Sequence, residues 1–268
     1  MQFPRAFRPA VLVLSAALAL SACATNKTKK DQSYVARDVE TLYIVAKGTL
    51  EKRQYRLAAA QFDEVERQHP YSVWARRAQL MSAFSYYVAG DFNEAVSSAQ
   101  RFLSLHPGSR EAPYAYYMIA ISYYEQITGV DRDQRTTQQA LDALGELIRR
   151  YPNTDYAADA RLKVDLARDH LAGKEMEVGR FYQQQGLYLA AIARFRTEID
   201  RYDTTSHTPE ALHRLVECYL ALGIPEEAKK AAAVLGSNYP GSKWYERSYA
   251  LMYKKAPGVL APPATKPG

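Results

Sequence analysis

Residues 70–109 read PYSVWARRAQLMSAFSYYVAGDFNEAVSSAQRFLSLHPGS, and their spacing decides the fold. A small residue (Ala83), an aromatic (Tyr86), a glycine (Gly90), an aromatic (Phe92), an alanine (Ala95), a proline (Pro107) and a serine (Ser109) follow in that order. The twelve-residue step from Ala95 to Pro107 recurs as Ala58 to Pro70, Ala140 to Pro152 and Ala228 to Pro240, and a fifth unit has Ala191 with Asp203 in the proline slot. Ser or Thr stands two residues beyond each slot (Ser72, Ser109, Thr154, Thr205, Ser242). Gly90, Gly186 and Gly223 lie five residues before their alanines, and Tyr86, Tyr182 and Tyr219 nine before.

Five units in phase give the tetratricopeptide (TPR) pattern, a helix-turn-helix of about 34 residues. The small residue and the alanine sit where two helices cross closely. The proline ends the second helix, and the Ser or Thr beyond it is placed to cap the next first helix. The expected fold is all-α, a superhelical array of five TPR repeats closed by a capping helix, Lys243–Tyr253. Alanine-to-alanine spacings are 37, 45, 51 and 37. The third unit's extra residues fall in the loop 128–137, TGVDRDQRTT, and fourteen further residues lie within 155–185. Fourteen residues make close to four turns at about 3.6 per turn, so one long helix absorbs them without turning its packing face. Gly173 and Gly179 inside it each cost about 1 kcal/mol relative to Ala, which implies close packing at least at Gly179.

The array occupies 34–253, as 34–153 for the first three repeats and 154–253 for the long helix, the last two repeats and the cap. Upstream, Arg5 and Arg8 precede an apolar run, Ala10–Leu20, followed by Ser21 and Ala22. This is a secretory signal, residues 1–22, and is too short to span a membrane. Leu20-Ser21-Ala22-Cys23 resembles a bacterial lipoprotein box, which implies S-diacylglycerol and N-acyl groups on Cys23. Ala24 after the cysteine implies, by the sorting rule of that class, the outer membrane. Residues 23–33 form a lipidated flexible tether, and 254–268, with four prolines, a disordered tail.

The 268 residues carry a net charge of +6, or +4 without the signal, which is too mild and too evenly spread for a nucleic-acid surface. Two cysteines give no disulfide framework, and Cys218 reads as a small buried hydrophobe. Tyrosine is in excess, 21 against 8 Phe and 2 Trp. Counting from the repeat alanines explains part of that excess. In a TPR array, positions 2, 5, 9, 12 and 13 of each first helix face the groove. In the first three repeats these include Tyr43, Leu50, Leu80, Phe84, Tyr87, Tyr114, Tyr117, Ile121 and Tyr124; in the last two they include Arg180, Gln183, Glu210, His213 and Glu217. The groove is therefore aromatic in its first half and polar in its second. An aromatic groove with a few charges suits an extended peptide with aromatic anchors.

Motifs for catalysis are missing: no P-loop, GxGxxG, GxSxG or HExxH occurs. His213, Glu217 and Cys218 make too small a cluster for zinc, and His69 and His106 share one repeat slot before a proline, a structural recurrence. No enzyme activity, metal or cofactor beyond the lipid on Cys23 is expected.

The phrases FLSLHP (102–107), YYEQITGVDRDQRTTQQA (123–140), RRYPNTDYAADA (149–160), VGRFYQQQGLYLAAIARF (178–195) and NYPGSKWY (238–245), with the lipobox, resemble the BamD (ComL/YfiO) family of outer-membrane β-barrel assembly lipoproteins along essentially the whole mature chain. The resemblance implies a non-enzymatic subunit, lipid-anchored at the outer membrane and facing the periplasm. Its partners would be the POTRA domains of a BamA-type barrel protein, other assembly lipoproteins and unfolded outer-membrane proteins. It places scaffold docking in the second half, where Arg194 stands at the family's basic position; Asp131, Arg132, Asp133 and Arg135 of the insertion are the other charged candidates. Two other classes fit a secreted TPR array: an adaptor lipoprotein for peptidoglycan or polysaccharide export, and an envelope enzyme with a helical superstructure. The enzyme would need a catalytic domain for which five repeats leave no room.

Overall fold

The computed structural model describes residues 38–130 and 132–259. The signal, Cys23, the tether and residues 260–268 lie outside the described residues, as does Asp131. Among the described residues there are eleven helices and no strand. They are α1 Val39–Glu51, α2 Tyr55–Gln68, α3 Val73–Ala89, α4 Phe92–Leu105, α5 Ala112–Tyr124, α6 Arg135–Arg150, α7 Asp155–Gln184, α8 Tyr188–Tyr202, α9 Thr208–Ala221, α10 Pro225–Asn238 and α11 Lys243–Lys255.

Successive helices pack against one another, giving five pairs from α1/α2 to α9/α10 followed by α11. First helices also touch first helices, α1 on α3, α3 on α5, α5 on α7 and α9 on α11, so these odd-numbered helices together form one face. The repeat alanines Ala58, Ala95, Ala140, Ala191 and Ala228 are all fully buried at the crossings. Gly179 is indispensable in the same sense, because a Cβ there would meet the Phe195 ring.

The punctuation follows backbone sterics. His69, His106, Tyr151 and Tyr239, each before a proline, share φ of −136°, −135°, −133° and −135° and end their helices. A residue before proline is pushed out of the α region by the ring, which accounts for the shared geometry. Where Asp203 replaces proline, α8 keeps its helical geometry to Tyr202, one residue further than its counterparts. Gly90, Gly186 and Gly223 have φ of +80°, +73° and +73°, the left-handed turn that closes a helix. Arg53 occupies the same slot in the first repeat, with φ +61° and no glycine to relieve it.

Three of the five expected caps form: the Ser72, Thr154 and Ser242 hydroxyls accept from the backbone N–H of Ala75, Ala157 and Tyr245. Ser109 and Thr205 do not cap. There α5 and α9 begin three residues later with Pro113 and Pro209 in the first turn, where a missing N–H costs nothing.

The long helix is continuous over thirty residues, packing on α5 and α6 and then on α8. The insertion between α5 and α6 is tied by Gln134, whose amide donates to the carbonyls of Gly129, Val130 and Arg132. The last helix runs to Lys255, and Ala256 is buried behind it, so the ordered chain passes the boundary expected at Tyr253. Val259 also packs on that cluster, whose buried members include Met252 and Cys218. Burial pushes the Cys218 thiol up to about 12.

Candidate functional site

The aromatic row of the first three repeats lies on the face formed by α1, α3, α5 and the first half of α7. Tyr43 stacks on Phe62 and on Trp74 of the next first helix, with ring centres 5.4 and 4.8 Å apart. Tyr114 and Tyr117 both pack on Tyr156 of α7, at 5.7 and 5.1 Å. Tyr43, Leu50, Phe84, Tyr87, Tyr114, Tyr117 and Tyr124 are half-buried, each with one side in the core and the other accessible. Leu80 and Ile121 are only 8% and 5% exposed, so they support the groove from beneath instead of lining it. Phe84 and Tyr117 are half-buried against the same cluster.

Two carboxylates face the row. The Tyr117 hydroxyl donates to Asp159 Oδ2 at 2.9 Å, and that of Tyr87 to Glu125 Oε1 at 3.4 Å. Burial, reinforced by these acids, raises the phenol pKa values of Tyr117 and Tyr87; burial alone raises that of Tyr43 and, mainly, that of Tyr114, which reaches about 12. All four stay neutral hydroxyls. Lys163 bonds Asp159 at 3.0 Å and lies over the Tyr124 ring at 5.5 Å. Beyond Tyr124 a cavity of about 490 Å³ opens, lined by Ile127, Val130, Leu166, His170 and His207 among others. Val130 and His207 also crowd Gly173, where an added Cβ would stand 3.3 Å from each.

Sequence counting placed the first-helix positions but missed Trp74, Tyr156, Asp159 and Lys163. A signal for two of them was present: Trp74 and Tyr156 each stand two residues after the capping Ser72 or Thr154, as Trp244 does after Ser242. Asp159 and Lys163 follow on the Tyr156 face only because α7 takes the place of a first helix.

The polar second half is internally satisfied. Arg180 pairs with Glu210 at 3.3 Å, Arg214 with Glu210 and Glu217 at 3.2 and 2.9 Å, and Gln183 donates to Glu217 at 2.8 Å. Although burial disfavours its charge, hydrogen bonds from His213 and Gln183 and the nearby charges hold Glu217 at about 2. Arg194 is not a free cation: its guanidinium lies 3.3 Å from Glu175. Arg132 and Asp133 are exposed in the insertion, and Asp133 accepts from the backbone N–H of Arg135, fixing the start of α6. Among the described residues no group of His, Cys, Asp and Glu is arranged to hold a metal ion.

Residues 35–235 match the family model described as YfiO, outer membrane lipoprotein. A relative from Caulobacter vibrioides, named as outer membrane protein assembly factor BamD, is 51% identical over 91% of this chain and 81% of its own length. One of the same name from Rickettsia prowazekii is 45% identical over 91% of this chain and 95% of its own. Another from Neisseria meningitidis serogroup A is 33% identical over 89% and 94%.

Proposed function

The chain belongs to the YfiO family of outer membrane lipoproteins, and on that footing we propose that it is a non-enzymatic subunit of an outer-membrane protein assembly machine. Cys23 carries the acyl groups that hold it to the outer membrane, with the repeats facing the periplasm. Several acyl chains give a stable anchor where one would not, at about 0.8 kcal/mol per buried methylene.

The aromatic groove of the first three repeats receives unfolded barrel-protein segments. The observation that carries this reading is the set Tyr43, Phe84, Tyr87, Tyr114, Tyr117 and Tyr124, half-buried on three successive first helices, with Asp159 and Glu125 beside the last of them. Rings held by their neighbours lose little entropy on binding, and an extended chain with aromatic side chains on alternate residues can lay them between the tyrosines. Carboxylates at the rim accept the peptide's backbone N–H groups. An export adaptor would use the same face, but the family membership favours assembly.

The second half docks a POTRA-bearing barrel protein of the BamA type, with the Arg194–Glu175 pair and the insertion residues Arg132, Asp133 and Arg135 at the interface; Asp131 is the remaining candidate. Charges of this kind steer encounter and register more than they add affinity. Other assembly lipoproteins complete the machine.

Two measurements test the proposal. Phe84→Ser and Tyr117→Ser, with the fold checked by circular dichroism, are expected to weaken binding of a barrel protein's C-terminal peptide; unchanged affinity removes the groove. A crosslinked detergent pull-down from outer membranes is expected to recover a POTRA-containing barrel, and its absence removes the assembly role.

A further inference from the structure

The last helix continues the row of first helices. α11 packs on α9 and α10, as α3 packs on α1 and α2. Its cap Ser242 bonds the N–H three residues on, as Ser72 does. Trp244 stacks on His213 at 5.3 Å, as Trp74 stacks on Tyr43 at 4.8 Å. In that register Arg247 corresponds to Arg77 and Lys254 to the groove residue Phe84.

Lys243, Arg247 and Lys254 fall at i, i+4 and i+11, which places them on one stripe of the helix. Lys243 Nζ and the Arg247 guanidinium lie 5.0 and 5.1 Å from the centre of the Trp244 ring. All three cations are exposed, and among the described residues none is ion-paired to a carboxylate. Arg214, the third cation over Trp244, is already held by Glu210 and Glu217. Like charges one turn apart repel, and a lysine in the first turn opposes the helix dipole, by a few tenths of a kcal/mol each. Glu246 in the same turn and the Trp244 ring under Lys243 and Arg247 offset these costs, but among the described residues no carboxylate is ion-paired to either cation.

We propose that this stripe is a docking surface for an extended acidic segment of a partner protein, with carboxylates on Lys243, Arg247 and Lys254 and an apolar side chain at the Trp244 edge. Eleven residues of helix span about 16 Å, the reach of about five residues of extended chain. Alternate side chains of an extended chain are about 7 Å apart, close to the helix pitch separating Lys243 from Arg247. The first step fits two neighbouring alternate acids, and the third acid, about 13 Å along, comes within reach of Lys254, about 16 Å along, through its flexible stem; a single lipid phosphate would engage one pair of cations and leave Lys254 unused. The inference does not rest on the assembly role, since the stripe is the same whatever the chain serves.

Trp74→Phe leaves Trp244 as the sole tryptophan of the two, so its emission reports the site in the full chain. Titration with the decapeptide Glu-Ser repeated five times is expected to give a saturable change. Affinity should fall about tenfold with Lys243→Gln/Arg247→Gln, and again as NaCl rises from about 50 to about 300 mM. Lys254→Glu, remote from the ring, should weaken it too. Lys229→Gln/Arg196→Gln, equal in charge loss, should not. No saturable change, equal affinity in the Lys243→Gln/Arg247→Gln protein, or phosphatidylglycerol vesicles binding through these cations while the peptide does not, would each overturn the proposal.

Discussion

Tyr117 on α5 donates its hydroxyl to Asp159 on α7 at 2.9 Å, while its ring packs on Tyr156 one turn earlier. The pair ties repeat three to the long helix. Tyr117→Phe keeps the stack and loses the bond, so unfolding free energy should drop by about 0.5–1.5 kcal/mol in urea melts. Tyr117→Ser loses the stack as well and should cost more than the phenylalanine variant. Equal losses would mean the ring contributes nothing beyond its hydroxyl.

Gly179 is a steric requirement. A Cβ there would lie 2.4 Å from Phe195 Cε1, and Phe195 is itself fully buried. Gly179→Ala should destabilise by about 1–3 kcal/mol despite alanine's better helix propensity. The double variant Gly179→Ala/Phe195→Leu should recover part of that loss relative to the sum of the single changes. A Gly179→Ala protein as stable as the parent would show that the ring can move aside.

Arg53 sits in the left-handed conformation that glycine supplies in three other repeats. Among the described residues its side chain makes no hydrogen bond or ion pair that glycine would forfeit, so Arg53→Gly should raise stability by about 0.5–1 kcal/mol. Arg53→Val, β-branched, should lower it. Thermal melts of the two variants run in opposite directions if the backbone argument holds.

Glu198 is fully buried at the slot where Val65, Phe102, Leu147 and Leu235 stand in the other repeats, also fully buried. Thr205 and Thr208 donate to Oε1, and Oε2 has no hydrogen-bond partner among the described residues. Burial, helped by Asp203 and Asp169 and opposed by the two threonines, pushes its carboxyl up from 4.5 to about 7. Between those values the native state holds a proton that the unfolded chain has released. Stability should therefore fall as pH rises through the window from 4.5 to about 7 and level off above it. Glu198→Gln should remove this contribution, gaining stability relative to the parent at pH 8 and little at pH 4.5. Parallel pH profiles for the two proteins would exclude Glu198 as their source.

The proline and glycine slots made the helix boundaries legible, because sterics at those residues act within a few neighbours. Ser109 and Thr205 escaped that logic: a proline four residues downstream moved the helix start, and two local signals competed. For the groove, counting from the repeat alanine found the face of Tyr43, Phe84 and Tyr117. It misjudged Leu80 and Ile121, since depth below a face depends on which neighbouring rings lie across it. Arg194 stood in the sequence as a docking candidate, and its pairing with Glu175, nineteen residues earlier in the chain, became visible only when α7 placed the two side by side.

By itself the sequence determined the repeats, their number, the long helix and the aromatic-to-polar change along the first helices, because periodicity and backbone sterics are local. Only the tertiary structure decided which of those side chains remain accessible and which cations remain unpaired. Phe195 against Gly179, Asp159 against Tyr117, and the bare stripe of Lys243, Arg247 and Lys254 beside a satisfied Arg214 all depend on helices packing across repeats, where contact is set by crossing geometry and not by spacing along the chain.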